Sequence, residues 1–153
     1  MQQKFHRSLP FMELLINREK KAKLLNFGVG TTIHDSSHVY GNVKVGKNTW
    51  IGPFTILDGS GGLTIGSNCS ISAGVQIYTH DSVHWAISGG VEDYEFNNVI
   101  IEDNCYIGPN VIIQKGVTIG KGSIIGANTF VNKSFSLNSK IVGNPAKKIN
   151  DEN

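Results

Sequence analysis

The sequence predicts an all-β fold, a parallel β-helix of about six triangular coils, and three observations lead there. First, aliphatic or aromatic residues recur every six positions. They run Phe27, Ile33, Val39, Val45, Ile51 and Leu57, then Ile65, Ile71 and Ile77, then Ile101, Ile107, Ile113, Ile119, Ile125, Val131 and Leu137. Second, the next residue is often Gly (Gly28, Gly46, Gly52, Gly66, Gly108, Gly120, Gly126), and the one three after is often Asn (Asn42, Asn48, Asn68, Asn104, Asn110, Asn128). Both residue types tolerate a left-handed backbone cheaply, so each hexad reads as a short strand followed by a tight corner. Third, the position four after the aliphatic is small or β-branched, from Thr31 and Ser37 through Cys69 and Cys105 to Ser123 and Thr129. One large and one small inward residue per hexad describe a narrow solenoid interior. A sandwich of unrelated strands would not keep one register over so long a run.

Taken in order, residues 1–26 form an N-terminal helical segment, 27–142 the β-helix, and 143–153 a tail, all within one domain. Ser8-Leu9-Pro10 ahead of Phe11-Met12 and Leu14-Leu15-Ile16 reads as an N-capped helix with proline in its first turn. Arg18, Lys20, Lys21 and Lys23 gather toward its end, where cations favour the helix dipole. The expected role of this helix is to cover the solenoid, whose end strand would otherwise offer unpaired edges; docking on a membrane surface through the basic run is the alternative. Two extra residues near Gly61-Gly62-Leu63-Thr64 shift the frame once. From Val83 to about Val99 there is no hexad, which predicts one extruded loop over about 83–99. Past the last repeat, Asp151-Glu152-Asn153 is expected to fray.

Composition narrows the function classes. A chain of 153 residues fits a single domain, and a net charge of +2 gives no reason to expect nucleic acid as the main partner. The apolar run Leu9 to Ile16 is too short to span a bilayer and lacks a signal-peptide cleavage pattern, so a cytoplasmic location is expected. Cys69 and Cys105 fall on the same face of successive coils and are expected as reduced core residues.

The break itself carries the chemistry. His80 holds a corner slot, so its imidazole is not a core group, and Asp81 falls where earlier coils carry a small residue. A carboxylate there either turns outward or pairs. If it meets the imidazole, it fixes the tautomer and raises basicity, as general-base catalysis needs. His84 is a candidate for contact with an acceptor or for facing water, and Trp85 for stacking on a sugar ring or packing against a neighbouring subunit.

The runs Ile107-Gly108-Pro109-Asn110-Val111-Ile112 and Ile125-Gly126-Ala127-Asn128-Thr129-Phe130, with Thr79-His80-Asp81-Ser82-Val83-His84, resemble the hexapeptide-repeat acyltransferases. Within them the likeness is to galactoside and maltose O-acetyltransferases and polysaccharide O-acetyltransferases. That resemblance, over about residues 27–149, implies a left-handed β-helix, a homotrimer with sites between subunits, and acetyl-CoA as co-substrate. It implies His80 as the base that deprotonates an acceptor hydroxyl, and Gly126 and Ala127 along the pantetheine channel. Asn132, Lys133, Lys147 and Lys148 become candidates for the coenzyme phosphates. The closing segment Gly143-Asn144-Pro145 resembles the family's terminal motif. Two departures stand out. Gly52-Pro53-Phe54 replaces the galactoside-type asparagine, and the backbone donor for the thioester oxyanion falls at or next to Pro109, which has no N–H. Gly108, Asn110 or a side chain would have to serve.

The resulting expectation is acetyl transfer to a sugar hydroxyl in surface polysaccharide or lipopolysaccharide synthesis. Alternatives are N-acetylation of a nucleotide-linked amino sugar, a non-catalytic β-helix scaffold, and a γ-carbonic-anhydrase-like metal enzyme. The last is invited by His34, His38, His80 and His84 but lacks that family's histidine spacing, so no metal is expected.

Overall fold

The hexads close into three faces that share one interior. The structure is a computed structural model and describes residues 8–150; Asp151–Asn153 lie outside the described residues. Face one stacks Thr32–Ile33, Trp50–Ile51, Ser70–Ile71, Tyr106–Ile107, Ile124–Ile125 and Lys140–Val142 in parallel register. Face two stacks the first halves of His38–Val45 and Ile56–Ile65 with Gln76–Ile77, Ile112–Ile113 and Phe130–Val131. Face three takes the second halves of those long strands, then Val99–Ile101 and Thr118–Ile119. The result is a left-handed parallel β-helix of about 6 turns with few short helices.

Period dictates packing here. Ile51, Ile71, Ile107, Ile125 and Ile141 stack as one fully buried column, and Leu57, Ile77, Ile113 and Val131 as another. Each such side chain contributes roughly 1.5–3 kcal/mol of burial. The corners carry the left-handed residues that the repeat requires, with Asn48, Asn68, Asn104, Asn110 and Asn128 all at φ between 54° and 61°. At the first corner between faces two and three, Gly41 rather than Asn42 takes this conformation. The two extra residues of the second coil are absorbed as a register shift between Gly41 and Val43. Cys69 and Cys105 are buried and free, their thiols directed at the carbonyls of Glu102 and Gly120.

Three expectations need correction. Among the described residues the N-terminal segment forms two helices, Phe11–Leu15 and Arg18–Leu24, not one. Ser8 does not cap the first, whose N-cap position is Pro10 without a side-chain bond. The chain breaks at Ile16 because Asn17 starts a new helix, its side chain accepting from Lys20 N–H. The basic run is accordingly split: Arg18 is buried near Glu13, and the Lys21 ammonium donates to the carbonyls of His34, Asp35 and Ser37. Leu137 is the second correction. It is exposed, and Phe135 pairs with Ile119 in its place. The corner after Val131 is two residues shorter than a hexad, so the aromatic ring reaches the interior first. Third, Val99 is not the end of the loop but a fully buried residue of face three.

The C-terminal segment turns at Gly143-Asn144-Pro145, with a cis bond before the proline. Lys147–Ile149 then lies antiparallel on Lys140–Val142 and covers the edge of face one.

Candidate active site

The corner between faces two and three is where the coil is interrupted. The chain leaves face two at Tyr78-Thr79, extends as His80–Asp81, turns through the helix Val83–Ile87, and returns as Glu95–Phe96. The outgoing and returning strands pair antiparallel, His80 opposite Phe96 and Asp81 opposite Glu95. The same corner one coil earlier is Asp58-Gly59-Ser60, and one coil later it is Gln114-Lys115-Gly116. Stacking therefore brings three coils to one edge.

His80 Nδ1 lies 2.6 Å from Asp58 Oδ2. The imidazole is about one-third exposed (33%), whereas the Asp58 side chain is 3% exposed. Backbone N–H groups of Ser60 and Thr79 donate to the two Asp58 oxygens, each at 2.9 Å. Burial alone would push this carboxyl up. The hydroxyl and N–H of Ser60, the N–H of Thr79 and His80 outweigh it and hold Asp58 well below the usual carboxylate range. An ionised Asp58 is an acceptor only, so in the neutral imidazole Nδ1 carries the proton and Nε2 the lone pair. Tyr40, Ile56, Ser60 and Tyr78 join Asp58 and His80 around a cleft of about 260 Å³. Above the imidazole, Tyr94 and Phe96 of the insertion stack at centroid distances of 6.2 and 5.8 Å.

Asp58 is the residue that sequence reasoning missed. The signal was present: the stacking of Leu57 on Ile77 puts residue 58 beside residue 78, two positions from His80. Asp81, the carboxylate adjacent in sequence, faces elsewhere. It pairs with Lys115 Nζ at 2.7 Å, and the same ammonium reaches Glu95 at 2.8 Å. Hydrogen bonds to Asp81 and Glu95 hold the Lys115 ammonium above its ordinary value, and Lys115 in turn holds both carboxyls below theirs. His84 belongs to this network too, with Nε2 at 3.0 Å from Glu95 and Nδ1 at 3.4 Å from Glu92. Trp85 is half-exposed and meets Tyr94 edge to face at 5.9 Å.

The remaining candidates lie away from His80. Gly108, Gly126 and Ala127 occupy the corner between faces one and two, with Lys147 and Lys148 beside it on the closing strand. Asn132 and Lys133 share the edge of His80 but sit two coils on, about 10 Å along the axis by strand spacing. Pro53 and Phe54, which replace the galactoside-type asparagine, are on the corner between faces one and two, near Glu13 and His34. Both backbone donors considered beside Pro109 are taken by the ladder: Gly108 N–H by Ile125 O at 2.9 Å, and Asn110 N–H by Ala73 O at 3.0 Å. The histidines do not converge, since His34 is buried against Glu13 and His38 stacks on Tyr40.

Two family models match the chain on either side of the insertion. One described as bacterial transferase hexapeptide (six repeats) covers residues 98–133, and one described as hexapeptide repeat of succinyl-transferase covers residues 42–79. Among solved structures, a hexapeptide-repeat acetyltransferase of Vibrio cholerae O1 biovar eltor, complexed with acetyl coenzyme A, is 28% identical. The match covers 88% of this chain and 78% of that one at a TM-score of 0.71. AntD, an N-acyltransferase from Bacillus cereus in complex with dTDP and 3-hydroxybutyryl-CoA, matches at 23% identity, 88% and 89% coverage and a TM-score of 0.69. A mutant of AntD with dTDP-4-amino-4,6-dideoxyglucose and coenzyme A matches at 21% identity, 87% and 88% coverage and a TM-score of 0.71. The repeat on both sides of the break, the coil geometry and these neighbours together support the hexapeptide-repeat acyltransferase family for this chain.

Proposed function

We propose that this protein is an acetyl-CoA-dependent O-acetyltransferase of a sugar hydroxyl, serving surface polysaccharide or lipopolysaccharide synthesis, with His80 as general base. The observation that carries the reading is the buried Asp58 carboxylate on His80 Nδ1, which leaves Nε2 to accept a proton. His80 takes the proton of the acceptor hydroxyl as its oxygen attacks the acetyl carbonyl; on collapse the imidazolium returns a proton to the departing thiolate. Asp58 is a positioning residue that stabilises the imidazolium formed in between. The cleft rim, with Tyr40 and Tyr78, suits the apolar face of a sugar ring.

A homotrimer fits the distribution of the candidates. Gly126, Ala127, Lys147 and Lys148 lie across face two from His80, so a second copy would bring its coenzyme groove to this chain's base. A cytoplasmic enzyme using cytoplasmic acetyl-CoA is consistent with there being no membrane-length apolar helix among the described residues.

N-acetylation of a nucleotide-linked amino sugar is the second reading, favoured by the fold shared with AntD. Charge argues against it. Residues 81–99 contain Asp81, Glu92, Asp93 and Glu95 but no Lys or Arg, and Lys115 offsets only one of these four charges. An acidic rim repels a nucleotide diphosphate and tolerates a neutral sugar. Substituting His80→Ala is expected to cut turnover of acetyl-CoA with the sugar acceptor by roughly 10²–10⁴ while the thermal midpoint stays near wild type. A thiol-release assay over neutral sugars and nucleotide amino sugars reads both points. Near-normal turnover in His80→Ala would remove the base, and turnover confined to nucleotide amino sugars would select the second reading.

A further inference from the structure

The insertion has little of its own to hold it shut. None of the residues of its helix, Val83–Ile87, is buried, and its strands pair over only His80–Asp81 and Glu95–Phe96. Asp81 and Glu95 face each other across that pair, an arrangement in which like charges repel. One ammonium resolves the conflict. Lys115 comes from the coil that follows the insertion, is 17% exposed, and reaches Asp81 at 2.7 Å on the outgoing strand and Glu95 at 2.8 Å on the returning one. Glu95 then holds His84 Nε2 at 3.0 Å, and His84 Nδ1 faces Glu92 at 3.4 Å, so the cation anchors the loop helix as well. The adjacent rung of the same pair is His80 opposite Phe96.

We propose that Lys115 is a positioning residue: it clasps the insertion onto the β-helix and so holds Phe96 and Tyr94 against the His80 imidazole, forming the acceptor side of the site. Asp58 reaches His80 from the coil body and does not depend on the clasp. Loss of Lys115 therefore separates two functions, keeping the base and its carboxylate while releasing the aromatic wall. The inference about acceptor binding rests on the acetyltransferase reading, but the clasp itself is measurable without any substrate.

The test uses the full chain carrying Trp50→Phe, which leaves Trp85 in the insertion as the reporter of the two tryptophans. In Lys115→Met, acrylamide quenching of Trp85 is expected to rise roughly two-fold or more as the loop opens locally. KM for the acceptor is expected to rise about tenfold with KM for acetyl-CoA unchanged. Lys115→Arg should restore both, and adding Asp81→Asn and Glu95→Gln to Lys115→Met should restore part by removing the repulsion. Lys115→Gln replaces Lys115→Met if the latter does not fold. Unchanged quenching overturns the clasp, whether or not acceptor KM moves. Raised quenching in a protein that transfers acetyl to no sugar upholds the clasp and overturns the acetyltransferase reading instead.

Discussion

Asp58 concentrates the local chemistry of the site. Its two oxygens take N–H bonds from Ser60 and Thr79 as well as His80 Nδ1, and the side chain is almost wholly buried. Replacing it with Asn keeps the volume but lets the imidazole adopt the other tautomer. Asp58→Asn is expected to lower kcat by on the order of 10²–10⁴ and stability at pH 7 by about 1–3 kcal/mol. The pH dependence follows from the sign of the shift. A carboxyl depressed in the folded state stabilises above its unfolded value, about 3.9, and loses that contribution as pH falls toward the folded one. The part of the thermal-midpoint difference between wild type and Asp58→Asn that the carboxylate supplies should thus persist to about pH 5 and shrink below about pH 4. A difference that goes on widening below about pH 4 would contradict an ionised Asp58. His80 was visible in the sequence because it stands at the break of a repeat. Asp58 was not, because no local pattern marks a carboxylate whose partner is 22 residues away.

Among the elements, the shortened last corner is the sharpest departure from the period. Leu137 continues the six-residue count, yet it is exposed while Phe135 packs against the core. Lys133 lies over the Phe135 ring, its ammonium 5.6 Å from the centroid, so the shorter corner also shields the aromatic from above. Phe135→Ala is expected to cost about 1–3 kcal/mol, below a fully buried phenylalanine because the ring is only partly covered. Leu137→Ala should stay within about 0.5 kcal/mol. Urea midpoints of the two variants decide the register; the opposite order would restore the strict hexad. The same lesson holds for the N-terminal helices. Propensity and charge describe one helix with a basic end, and the break at Asn17 arises because a side-chain cap there competes with continuing the turn.

At the scale of the whole molecule, one chain presents the proposed base His80 on one edge and the candidates Gly126, Ala127, Lys147 and Lys148 at another. If the site forms between copies, two inactive variants should complement. His80→Ala removes the base, and Ala127→Trp blocks the groove at an exposed position where the fold tolerates bulk. Mixed after dissociation and reassembly, the two are expected to show turnover above either alone, since some interfaces then pair an intact base with an intact groove. Sedimentation of the same mixture checks that assembly is complete. Complete reassembly without recovered turnover would put base and groove on one chain.

What the sequence determined by itself is the scaffold. A six-residue period with paired large and small inward positions admits few structures, because burial of each face requires the next coil in the same register. It also marked His80, His84 and Trp85 as residues of the interruption. Only the tertiary structure decided which groups meet. Asp58 rather than Asp81 holds His80, Lys115 joins Asp81 to Glu95, and the amides beside Pro109 are spent in the ladder. The reason is physical: in a solenoid the contacts that carry charge run between coils, along the axis, and a one-dimensional pattern reads only around each coil.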